Sequence, residues 1–142
     1  MHTGLVHLHR TLAYVALVLL IVSGIKFLMA ARAKKEFTEG DRKLSLYTLI
    51  SVHLQLVIGF VIYFTGLSFS QLKDFGAAMS DSSVRFQVLE HPLTMIIGVV
   101  LITIGYSSAK RAEGTAKYSK LSRFYLIGLV LILLRVPWDK LF

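Results

Sequence analysis

Five histidines define the chemistry open to this chain: His2, His7, His9, His53 and His91. Imidazole ligates iron, zinc and copper and titrates near neutral pH. His91 keeps the most unusual company. It lies between Glu90 and Pro92 inside the long apolar run RFQVLEHPLTMIIGVVLITIGY, Arg85 to Tyr106. A charge, an imidazole and a proline are each costly in lipid. Two chemistries suit such residues. Two imidazoles from different helices at one depth are what the axial positions of a haem iron require. Imidazoles with one carboxylate suit zinc or copper. The chain has no cysteine, which excludes disulfides, thiolate metal sites and haem attached through cysteine. No Ser/His/Asp order, catalytic carboxylate pair or Gly-rich phosphate loop is evident, so no residue is a catalytic candidate. An electron-transfer role suits the chain better than an enzyme.

The elements that must position these residues follow from hydropathy. Of the 142 residues, 55% are hydrophobic and 17% charged, the balance of an integral membrane protein rather than a soluble domain. A spanning helix needs roughly 20 apolar residues. Four runs qualify, at about residues 5–30, 44–67, 84–106 and 122–138. Short connections make consecutive helices antiparallel, so the expected architecture is an all-α, up-down four-helix bundle in the lipid bilayer, with residues 1–142 as one domain. Gly40-Asp41 reads as a turn signal, and the segment 68–83 as one lying on the membrane surface. Asp81-Ser82-Ser83 reads as a helix N-cap. Pro92 then falls inside the third helix, frees the carbonyl of Val88 and kinks the rod. Gly59, Gly66, Gly98 and Gly105 would allow close helix contacts.

The formal net charge of +8 matters mainly through its placement. Arg32, Lys34, Lys35, Arg42 and Lys43 crowd the first connection, and Lys110, Arg111, Lys117, Lys120 and Arg123 the third. The second holds only Lys73, with Arg85 at its edge. By the positive-inside rule the first and third connections face the cytoplasm of a bacterial inner membrane, and both termini are periplasmic. A basic face with base-reading partners is lacking, so nucleic acid is not an expected partner.

Depth then tests which polar groups can meet. With a rise of about 1.5 Å per residue, His9 sits roughly 12 Å and His91 roughly 9 Å above the midplane on the periplasmic side. His53 falls about 3 Å below it. His9 and His91 are level, and His2 lies seven residues before His9 on the same helical face. The expected site is one b-type haem with His91 as an axial ligand and His9, His53 or His2 as the other. Arg10 and Arg135 are placed to neutralise propionates, and either suits Glu90 as an ion-pair partner. A second arrangement gathers His2, Glu90, His91 and His9 around zinc or copper. A third needs no cofactor: Glu90, His91, His53 and Gln55 form an interhelical hydrogen-bond network in a scaffold or accessory subunit of a larger membrane complex. Lys26 is expected to snorkel to the cytoplasmic interface.

Several pieces resemble a family of small four-span bacterial membrane proteins, the cytochrome b-like proteins of Bacteroidetes type. They are Met1-His2-Thr3-Gly4-Leu5, Ser51-Val52-His53-Leu54-Gln55-Leu56, Arg85-Phe86, Glu90-His91-Pro92-Leu93, Ile102-Thr103-Ile104-Gly105-Tyr106 and Pro137-Trp138. The resemblance covers nearly the whole chain, and the EHP and HLQ pieces are its most specific parts. It implies a b-type haem and electron transfer, and it emphasises His2, His53 and His91. In the leading reading iron relays single electrons, with a quinone or a redox protein as candidate partner.

Overall fold

A computed structural model describes the backbone of residues 2–141 and the side chains of residues 3–139. Among the described residues all regular structure is helical. Helix α1 spans His2–Arg32 and α2 spans Glu39–Thr65. Two six-residue helices follow, α3 (Leu67–Leu72) and α4 (Phe75–Ser80). Then α5 (Ser82–Arg85), a π-helical turn (Phe86–Glu90) and α6 (His91–Arg111) run on as one rod. Helix α7 (Ala116–Leu134) and the short α8 (Trp138–Leu141) complete the chain. Among the described residues, three helical stretches are long and apolar enough to cross a membrane: Thr3–Arg32, Glu39–Thr65 and Ser82–Arg111. Helix α7 has 19 residues, but its first turns carry Lys117, Lys120 and Arg123.

Local chemistry explains the helix ends. Thr38 Oγ1 accepts from the Asp41 amide at 3.2 Å while Asp41 Oδ2 accepts from the Thr38 amide at 3.1 Å, a reciprocal capping box. Gly40-Asp41 is therefore the first turn of α2, and the turn expected there is corrected. A glycine beside an aspartate suits a helix start as well as a reverse turn. Asp81 Oδ1 accepts from the Ser83 and Val84 amides at 2.9 and 3.3 Å, so the expected cap of the third rod is present. Gly66 ends α2 in an extended conformation.

Helix α1 packs on α2 and α7, and α6 packs on α7 and α2. The four long helices thus close a ring in which α1 and α6 stand diagonally. The closest approach joins α6 to α7. A Cβ on Gly128 would lie 2.7 Å from Ile102 Cγ1 and 3.2 Å from the Gly98 carbonyl oxygen, so both backbones need the missing side chain. The best-buried side chains, Leu20, Phe27, Ile102, Tyr118, Leu121 and Tyr125, fill the half of the bundle nearer the basic connections. Phe27 lies 5.9 Å from Tyr118 and 6.3 Å from Tyr125, ring centre to ring centre.

That end is also tied by polar groups. Asp41, almost fully buried, receives Lys26 Nζ at 3.0 Å and the Tyr118 hydroxyl. Tyr118 also donates to the Glu36 carbonyl at 2.8 Å, and Tyr125 donates to the Ser45 carbonyl at 2.8 Å. Burial and the Asp41 carboxylate push the Tyr118 phenol up to about 12, so it stays a donor throughout the physiological range. Lys26 is half-exposed, but its ammonium is anchored on Asp41.

Candidate functional site

The other half of the bundle, nearer the termini, is hollow. A partly open cavity of about 310 Å³ lies between the diagonal helices, with walls from α1, α2, the π turn, α6 and the end of α7. Most of its lining is apolar, including Ala13, Leu17, Leu56, Phe60, Met95 and Ile132. Its polar lining comes from His9, Arg10, Gln55, Tyr63, Ser68, Gln87 and His91. This volume lies at the low end of the ~300–1,000 Å³ range of ligand-binding cavities.

His91 is positioned by the backbone around it. Its amide donates to the Phe86 carbonyl five residues earlier, the bond that defines the π turn. Pro92 has no N–H to give, which in a regular helix would leave the Val88 carbonyl unmet. The Tyr63 hydroxyl from α2 donates to that carbonyl at 2.8 Å. The defect expected at Pro92 is thus a widened turn whose orphan acceptor is satisfied from another helix. The His91 ring stacks on Phe86, 5.9 Å between centres and 30° between planes. Its Nδ1–H donates to the Arg135 carbonyl at 2.7 Å. A carbonyl can only accept, so Nδ1 carries a proton.

His9 reaches the same cavity from α1. Its ring lies over Gly59, where an added Cβ would stand 3.3 Å from His9 Cε1. Gln55 Nε2 donates to the His9 carbonyl at 2.6 Å and ties α2 to α1 at this level. Among the described residues, His9 Nδ1 and Gln55 Oε1 are both buried without a hydrogen-bond partner. Such atoms are rare in folded proteins and each calls for a partner.

The remaining sequence candidates divide clearly. Arg10 lines the cavity, half-buried. Arg135 contributes its carbonyl to His91, while its guanidinium Nη1 donates to the Leu134 carbonyl at 3.0 Å. Glu90 does not pair with Arg10 or Arg135. It receives Arg85 Nε at 3.0 Å, and Arg85 Nη1 also donates to the Met79 carbonyl at 3.0 Å. Residues five apart lie roughly 140° apart around a regular α-helix. The wider π turn between them brings this pair onto one face, a register that helical periodicity alone does not suggest. His53 lies outside the cavity, on an exposed shallow groove with Leu49, Ile50, Leu54 and Val57. Its Nε2 is 2.9 Å from Thr103 Oγ1, and Thr103 spends its own proton on the Val99 carbonyl at 2.7 Å, so His53 is the donor. The side chain of His2 lies outside the described residues. Among the described residues no three His, Cys, Asp or Glu side chains gather as a metal-holding group.

Three observations define the site. Two imidazoles from diagonal helices share one apolar cavity. His91 carries the backbone-anchored Nδ1–H typical of ligating histidines. His9 holds a buried ring nitrogen that no described residue satisfies. Tyr63 and Gly59 are further site residues, and sequence reading assigns Gly59 to helix packing. One signal exists for Gly59, which interrupts an otherwise bulky run from Leu54 to Phe64. Compared with protein-family models, curated proteins and solved structures, the chain matches none.

Proposed function

We propose that this chain is a four-span inner-membrane protein that holds one b-type haem between His9 and His91 and relays single electrons. Support for the spans comes from three helices of sufficient length and apolarity, with α7 packed beside two of them. The fourth crossing would use the apolar part of α7 beyond Arg123. The basic residues at one end favour a cytoplasmic face there and periplasmic termini.

The observation that carries the haem reading is the shared cavity of His9 and His91, with the His91 Nδ1–H held by the Arg135 carbonyl. A bound haem would supply one-electron chemistry at its iron. His9 and His91 would hold the group, apolar side chains would wall off water and Arg10 would meet propionate charge. The resemblance to cytochrome b-like proteins implies the same cofactor but emphasises His53 and His2, rather than His9, beside His91. A quinone or a redox protein is the candidate exchange partner. Protein purified from haem-replete cells should show a Soret band and the visible bands of a six-coordinate low-spin haem. A preparation with no Soret band would sink the proposal.

A scaffold or accessory-subunit role is the second reading, favoured by the cross-helix bonds Gln55–His9, Tyr63–Val88, His91–Arg135 and His53–Thr103. Wild-type protein without haem or metal, together with retained partner binding in His91→Ala, would establish it. Zinc or copper held by His9, His91, Glu90 and His2 would instead be seen by elemental analysis as metal without porphyrin.

A further inference from the structure

Two buried polar atoms line the cavity walls without partners among the described residues, and they are complementary. Neutral imidazole nitrogen Nδ1 of His9 is a donor whenever the ring binds a metal through Nε2. Gln55 Oε1 is an acceptor. The orientation of the amide is fixed, because only its NH₂ can meet the His9 carbonyl, which it does at 2.6 Å. The same bond tethers Gln55 to His9 across two helices, so the orphan acceptor is held beside the residue that carries the orphan donor. His91 already has its outer partner in the Arg135 carbonyl. His9 has none among the described residues.

We infer that Gln55 is the positioning residue for His9: with haem bound, its Oε1 accepts from His9 Nδ1–H, as the Arg135 carbonyl accepts from His91. This inference rests on the haem reading above. The bond would fix the His9 tautomer and ring orientation and raise the basicity of Nε2, which stabilises the oxidised iron. No covalent step is involved. Gln55 would touch the ligand and not the iron, and would act wholly through His9.

Paired substitutions isolate the acceptor. Gln55→Leu and Gln55→Glu both lose the amide donor to the His9 carbonyl. Only Gln55→Glu keeps an acceptor, and a stronger one. In the full-length protein with haem, Gln55→Leu should lower haem affinity about tenfold or more. It should also favour the reduced state about tenfold, a rise of ~59 mV for a one-electron couple. Gln55→Glu should shift the midpoint potential the opposite way. A purely structural role would move both variants in the same direction, and that result would overturn the inference, as would two unchanged potentials. The wild type offers a check that needs no variant. With ¹⁵N-histidine and haem bound, the His9 Nδ1 proton should exchange slowly and correlate with the Gln55 side chain. A rapidly exchanging proton would count against the bond. Wild-type protein that takes up no haem overturns the parent reading, whereas haem-loaded protein indifferent to Gln55 overturns this inference alone.

Discussion

The main chain of α7 holds the His91 ring, and this makes His91 sensitive to changes that leave its own side chain intact. The Arg135 carbonyl is presented where α7 ends, next to Val136 and Pro137 on the cavity wall. Replacing His91 by alanine should abolish haem binding, measured as loss of the Soret band, while circular dichroism stays helical. His53→Ala should leave the Soret band in place, because His53 faces a separate groove and bonds to Thr103. Retained binding in His91→Ala would instead point to His53 or His2 as ligand. Hydropathy alone sets His9 and His91 at one level, and both line one cavity. Partners at single-ångström range were less legible. Glu90 finds Arg85 because a π turn changes the angular spacing, and no residue pattern announces where a helix widens.

Helices α2 and α6 show how element geometry carries the site. Gly59 gives α2 the room to sit under the His9 ring, and Gly59→Leu should weaken haem binding by crowding that ring while helix content holds. Titration of haem into the purified variant measures this. The π turn leans on Tyr63, whose hydroxyl meets the carbonyl that Pro92 leaves open. Tyr63→Phe buries that acceptor unpaired and should cost about 1–3 kcal/mol of stability in detergent, read by thermal unfolding. The sequence showed that Pro92 lies within a helix and that Val88 loses its usual donor. It could not show that the response is a wider turn, since a kink, a water or a side chain can each satisfy such a break. Similarly, Gly98 and Gly105 were legible as close-packing glycines, and Gly128, which faces Gly98, interrupts the bulky run from Phe124 to Leu134 just as Gly59 interrupts its own.

For the molecule as a whole, the decisive prediction concerns orientation. The chain has no native cysteine, so single cysteines report sidedness directly. In intact cells, Lys73→Cys should react with an impermeant maleimide and Lys35→Cys should react only after lysis. The reverse pattern would place the cavity on the cytoplasmic side. The two halves of the bundle also differ in build. Aromatic rings and the Lys26–Asp41–Tyr118 tie fill one half, and the cavity occupies the other. Packed interiors resist compression, and pressure favours states that eliminate internal voids. Hydrostatic pressure should therefore deform the end bearing the termini first, leaving the Tyr118 and Tyr125 environment nearly unchanged. Whatever fills the cavity should raise the pressure that this end withstands, so compressibility reports occupancy of the site even for a colourless ligand.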